Sequence, residues 1–257
     1  MKRATGRDYV LHELAWHTVR AASYEVAVLP WGATEAHNLH LPYGTDSFES
    51  THIAVEAARL ATEGGASVVV LPTIPIGVNA QQLDISLTLN LNPSTQLAIL
   101  KDIIRSLGQS GVRKLVVLNG HGGNDFKPMI RELEVDTAMF VCTANWYEVV
   151  DAASFFTEPG DHGGEMETSL MLYLEPELVL PLELAGEGKA RAFRVGALRE
   201  RWAWAPRQWT KVTDDTGVGN PARATADKGR DYFAAVTEKI AAFLIDLSAT
   251  PVDQMYE

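Results

Sequence analysis

The sequence holds a single cysteine, Cys142, in 257 residues, so an internal disulfide is excluded. Basic charge is scarce as well. Lys and Arg total 22 against 33 Asp and Glu, a formal net charge of −11. A surface of that sign disfavours nucleic acid and anionic membrane, because phosphates need Lys and Arg to displace their counterions. No apolar run approaches the roughly 20 residues of a membrane helix. The opening MKRATGRDYVLHELAWHTVR has basic residues but no apolar h-region, so no secretory signal is expected. Walker A loops, G-x-S-x-G elbows, internal repeats and low-complexity tracts are all missing. These absences lead us to expect a cytoplasmic protein with no nucleic-acid or membrane partner.

What is present describes a packed globular chain. Hydrophobic residues make up 46% and charged residues 21%. No linker interrupts it, so residues 1–257 are expected to form a single domain. Four apolar, β-branched runs read as strands buried on both faces: 24–30, 66–72, 113–119 and 137–145. Helical periodicity fills the spaces at 47–63, 94–110 and 125–135, with a closing helix expected over 223–247. Leu97, Leu100, Ile104 and Leu107 share one face of the second, and Gly111 supplies a stop. The alternation predicts an α/β fold of three layers, helices on both sides of a mostly parallel sheet. Residues 185–221 are less regular and carry Trp202, Trp204 and Trp209.

In such sheets ligands sit beyond the carboxyl ends of the strands. Acidic and imidazole side chains concentrate there. After the first strand come Glu35, His37, His40 and Asp46. Glu35 and His37 are two apart, so extended backbone points them the same way. A Pro-Gly containing turn can then fold Asp46 back. Two carboxylates and an imidazole make an N/O donor set suited to Zn²⁺, Mn²⁺ or Fe²⁺. The competing reading is a polar loop in which Thr45-Asp46-Ser47 caps the next helix. After the third strand, His121 stands among glycines in Asn119-Gly120-His121-Gly122-Gly123-Asn124. That string is either a close ligand approach or a tight turn. Asp161-His162-Gly163-Gly164-Glu165-Met166-Glu167 then leads into an apolar helix, whose positive end would itself attract both glutamates. His12 and His17 are five apart, which turns them to different helix faces, so no zinc-protease motif is read there. Cys142 reads as a small hydrophobe within a strand.

Taken together, Pro30–Asp46, Asn119–Asn124, His162–Ser169 and Thr216–Pro221 resemble, in order, the signatures of the creatininase superfamily. The resemblance implies a creatininase-like fold and two divalent metal ions per chain. Glu35 and His121 would bind one ion, His37 the other, and Asp46 would bridge them. In creatininase proper a carboxylate follows two residues after the second-signature histidine. Here that position is Gly123, so the fifth ligand is expected from Glu167, with Glu165 in reserve. His162 beside Asp161 would shuttle a proton to the leaving group. The resemblance also implies a homo-oligomer, a hexamer, and the three tryptophans suit an interface.

Family members open the creatinine lactam, deformylate a pyrimidine intermediate, trim a peptide precursor or hydrolyse a cyclic inositol-derived ketone. Gly123 and Asn79–Asp84 depart from creatininase, so creatinine is expected to be a poor substrate. Asn79, Gln81 and Gln82 either contact a polar substrate or form a polar surface loop. The expected activity is metal-dependent hydrolysis of a small cyclic amide. A cyclic polyol ketone, or a non-catalytic metal- or small-molecule-binding module, is the alternative.

Overall fold

The computed structural model describes residues 7–256. Four strands form one parallel sheet: β1 (Val26–Trp31), β2 (Val68–Val70), β3 (Lys114–Asn119) and β4 (Phe140–Asn145), in the order β2-β1-β3-β4. The helices are α1 (Trp16–Val19), α2 (Thr45–Glu63), α3 (Pro93–Gln109), α4 (Lys127–Leu133), α5 (Glu165–Leu174), α6 (Gly196–Arg199), α7 (Trp209–Val212) and α8 (Ala226–Ala249).

Strand alternation divides the core in two. Val26, Val28, Val116 and Leu118 face Ile53 and Ala57 of α2, Leu170 of α5, and Val236 and Leu244 of α8. Ala27, Leu29, Leu115 and Val117 face Leu100 and Ile104 of α3 and Met129 of α4. This is the three-layer α/β/α arrangement. On α2 the buried Ala54, Ala57, Ala58 and Ala61 recur at helical spacing, and their small side chains let the helix lie close to the sheet. Helix α3 is capped at Ser110, and Gly111 follows at φ +81°, the left-handed conformation that favours glycine.

The fourth strand departs from expectation. It was expected to be buried on both faces, but all six of its residues are half-buried. β4 lies at the sheet edge, with β3 on one side only. The other edge, β2, is covered because Val70 N–H donates to the Tyr9 carbonyl at 2.7 Å. Cys142 accordingly is half-buried, and burial pushes its thiol up to about 12. Among the described residues, no helix is long and apolar enough to cross a membrane.

The register fixes where chemistry gathers. Trp31 pairs with Asn119, and Asn119 with Asn145, so three strands end level. Asn119 Nδ2 donates to Asn145 Oδ1 at 2.9 Å and ties these ends together. The segments that follow all leave from one edge.

Candidate metal centre

The chain leaving β1 turns back on itself before α2. His37 and Leu41 pair as an antiparallel bridge, and Asn38 takes φ 55°. The turn returns Asp46 to His37, with Nε2 to Oδ1 at 2.9 Å. Asp46 does not cap α2. The cap position is Gly44, and Asp46 sits in the first turn, where the helix dipole favours a carboxylate. Asp46 divides its oxygens: Oδ1 faces His37, and Oδ2 lies 3.1 Å from His121 Nδ1.

The imidazoles are oriented from behind. His37 Nδ1 donates to the Glu35 carbonyl at 3.1 Å, which leaves Nε2 toward Asp46 and toward Glu167 Oε1 at 3.8 Å. His121 Nε2 donates to the Val78 carbonyl at 3.0 Å, which leaves Nδ1 facing Glu35 Oε1 at 2.7 Å. His162 Nε2 donates to the Ala36 carbonyl at 2.7 Å. Its ring stacks on His37 at 4.1 Å and meets Trp209 edge-on at 5.0 Å. Outer bonds of this kind are what fix the tautomer of a metal-binding histidine.

The result is three sets of ligand-type atoms lying within 4.8 Å of one another: Glu35, Asp46 and His121; His37, Asp46 and Glu167; Glu35, His37 and His162. All six residues are buried. With the His121 proton on Nε2 toward Val78, Glu35 Oε1 and Asp46 Oδ2 are buried acceptors with no hydrogen-bond donor. Convergent, unsatisfied carboxylate oxygens beside imidazole nitrogens fit a divalent cation of borderline hardness.

The electrostatics agree. Burial opposes protonation of His37, but Asp46, Glu167 and Glu35 outweigh it and carry the imidazole up to about 10. His121 is raised well above its ordinary value in the same way, by Glu35 and Asp46 against burial. Asp46 is held down by both histidines although burial works against it. Burial pushes Glu167 up to about 7, opposed by His37 and helped by Asp46. Burial and the neighbouring His37 charge push His162 down to about 4, so this imidazole is neutral where the others are not.

The two glutamates of the third signature part company. Glu167 turns inward and accepts from the Gly163 amide. Glu165 accepts from the amides of Thr157 at 2.8 Å and Glu158 at 2.7 Å, and its other oxygen pairs with Lys228. Its carboxylate is fully committed away from the cluster. Gly123 has no room for a side chain, since a Cβ there would stand 2.4 Å from both His121 Nε2 and the Val78 carbonyl oxygen.

Several expected placements change. Asp161 does not touch His162; its exposed carboxylate pairs with Arg207 at 3.1 Å, and Arg207 lies over the Trp209 ring at 4.5 Å. His162 bridges to Val218 in extended backbone, where adjacent side chains point apart. His40 stays outside the three sets and bonds Thr168 Oγ1 at 2.9 Å. Trp202 and Trp204 are 76% and 84% exposed, but Trp209 is buried against His162, which removes it from any interface. The surface-loop reading fails for Asn79 and Gln82, which are both buried.

Glu49 escaped the sequence reading, and Gln82 was read there only as a substrate contact or a surface-loop residue. Glu49 lies one turn after Asp46 on the same face of α2, fully buried, with both carboxylate oxygens unpartnered. Burial, then Glu167 and Asp46, push it well above its usual range. Its i+3 spacing from Asp46 was the available signal. Gln82 donates through Nε2 to Glu35 Oε2, and no local pattern announces a contact between positions so far apart.

Comparisons with known proteins follow the same lines. The creatininase family's sequence model, described as creatinine amidohydrolase, matches residues 12–244. A solved structure from Bacteroides fragilis NCTC 9343, provisionally assigned as a creatinine amidohydrolase, is 43% identical with a TM-score of 0.92, covering 98% of this chain and 100% of that one. The creatinine amidohydrolase of Pseudomonas putida is 32% identical over 192 residues, 65% of this chain and 72% of that protein. The mycofactocin precursor peptide peptidase of Mycobacterium ulcerans (strain Agy99) is 29% identical over 220 residues, 82% of this chain and 81% of that protein. A mutant creatininase of Zn-Zn type is 25% identical with a TM-score of 0.77, covering 95% of this chain and 100% of that one. With the match running across almost its whole length, the chain belongs to the creatininase family.

Proposed function

We propose that this chain hydrolyses the C–N bond of a compact amide, using two divalent ions that share Asp46. Glu35 and His121 complete the first site, and His37 and Glu167 the second. The observation that carries this reading is the division of Asp46, one oxygen toward His37 and the other toward His121. Bound there, a pair of divalent ions supplies Lewis acidity, acidifying a water and polarising a carbonyl oxygen. Zinc or manganese suits the donor set, and a zinc form is known for a creatininase.

The remaining work belongs to the protein. His162, neutral with its proton on Nε2 toward Ala36, takes a proton at Nδ1 from the attacking water and passes it to the leaving nitrogen. Trp209 covers the outer edge of His162 and keeps water from it. Asp161 stands at the rim, where it holds Arg207 over Trp209.

A small cyclic amide is the substrate this site suits, and creatinine is expected to be a poor one. Creatininase proper carries a carboxylate where Gly123 leaves no room. A peptide amide is the second reading. It draws on the peptidase relative and on the exposed Leu39 and Leu83, which adjoin Asn38 and Gln82. Purified chain should cleave an amide with zinc or manganese bound, fall silent after chelation and recover on readdition. Cyclic amides and peptides offered in parallel decide between substrates. Turnover indifferent to chelator would sink the reading. We further propose self-association through the exposed Trp202 and Trp204, so light scattering on that preparation should exceed the 28.1 kDa of one chain.

The glutamates offer a separate test. Glu167→Gln should release one of the two ions. Glu165→Gln should keep both and instead lower the melting temperature, by about 2–4 °C for each kcal/mol lost with the Lys228 pair. Loss of an ion from Glu165→Gln alone would reverse the assignment.

A further inference from the structure

Gln82 ends the 3-10 turn Ala80–Gln82, and its side chain is buried. Nε2 donates to Glu35 Oε2, across 47 positions of sequence. The amide must present its nitrogen, because the reverse orientation would press two acceptors together. The oxygens of Glu35 are thereby divided. Oε2 is taken by Gln82, and only Oε1 faces His121 Nδ1.

The same loop grips the other residue of that site. Val78 offers its carbonyl to His121 Nε2 at 3.0 Å. The loop is itself fastened on several sides. Asn124 Oδ1 accepts from the Val78 amide at 3.0 Å, and Asn90 Oδ1 from the Asn79 amide at 2.8 Å. Asn79 Nδ2 donates to the Leu89 carbonyl at 3.1 Å, and Thr210 donates to Asp84. The second site is held by other groups: the Glu35 carbonyl behind His37, and the Gly163 amide behind Glu167. The two sites thus have separate outer supports, although they share Asp46 and the Glu35 carboxylate also lies near His37.

We propose that Gln82 is a positioning residue that restricts Glu35 to ligation through one oxygen, and so supports the first ion and not the second. The inference rests on the two-ion reading above. Outer-sphere partners of metal ligands are worth about 10–100-fold in metal affinity when removed. Without the donor, Glu35 Oε2 is released, and the carboxylate rotates or spreads both oxygens over the ion. That loses the single geometry that Gln82 imposes.

The test is a metal titration, resolved by site and independent of turnover. Gln82→Leu keeps the volume and removes the donor. Gln82→Asn keeps the amide but is one methylene too short to reach Glu35, and it serves should the leucine variant fold poorly. Each variant and the wild type are titrated with manganese against a competing chelator and counted by elemental analysis. Paramagnetic resonance then distinguishes a coupled manganese pair from an isolated ion. The expected result is one ion held as in the wild type and one weakened about 10–100-fold, with the coupled signal replaced by that of an isolated ion. A purely structural role would weaken both ions in parallel, and that outcome overturns the proposal. Two ions held at wild-type affinity would overturn it equally. A wild-type chain that takes up fewer than two ions would instead bring down the two-ion reading itself.

Discussion

Asp46→Ala should leave a folded chain that binds neither ion and has lost hydrolysis by about 10³-fold or more. Metal-derived stabilisation of a transition state is worth several kcal/mol, and each 1.4 kcal/mol is tenfold in rate. Asp46 contributes to two of the three ligand sets, and its oxygens reach separate imidazoles at 2.9 and 3.1 Å. Removing it also withdraws the largest attraction that raises His37. Glu167 and Glu35 still face His37, so the imidazole keeps carboxylate neighbours and the fold survives. Elemental analysis beside an activity assay checks the expectation. Two ions per chain in the variant would refute the bridge.

His162→Ala separates metal binding from proton transfer. It should retain both ions and lose about 10²–10⁴-fold in turnover, the usual contribution of a positioned acid–base group. The pH profile carries the sharper signature. Burial and the charge on His37 hold His162 near 4, against an ordinary histidine near 6.5. Bound cations push in the same direction. A group with a lowered value stays neutral above it and protonates only as pH falls through it. The wild type should therefore show no acidic limb from His162 between pH 5 and 7. Asp161→Asn is the contrast. Its carboxylate pairs with Arg207 in solvent, where such pairs are worth about 1 kcal/mol or less, so most activity should remain. Full activity in His162→Ala, or collapse in Asp161→Asn, would return the proton transfer to another group.

Those contrasts show which parts of the site could be read from sequence. Strand runs were legible because residues buried on both faces leave uninterrupted β-branched stretches. The gathering of Glu35, His37, Asp46 and His121 followed from their places beyond strand ends. The half-exposure of β4 was not legible, because it depends on which strand stands at the edge, and a strand's own residues do not encode its neighbours. Glu165 and Glu167 are two apart on α5, so helix geometry says that only one turns inward. Which one depends on Lys228 and on the amides of Thr157 and Glu158, supplied by distant backbone. The alternation of extended backbone already parts Asp161 from His162, since adjacent side chains there point to opposite sides. Gln82 required the fold of the whole 75–92 connection before its target came into view.

The ligand-type side chains arrive from the β1 connection, α2, the β3 connection and α5, and span positions 35 to 167. On the proposed two-ion reading, ion uptake is therefore linked to the global folding equilibrium and not to a local loop. A ligand at about 1,000 times its dissociation constant adds roughly 4 kcal/mol to the folded state when the unfolded chain does not bind it. That is a large share of the 5–15 kcal/mol by which domains usually exceed unfolding. The persistence of this chain in its native form thus becomes a function of the free metal concentration around it. On that reading, scarcity of metal would thin out the folded population.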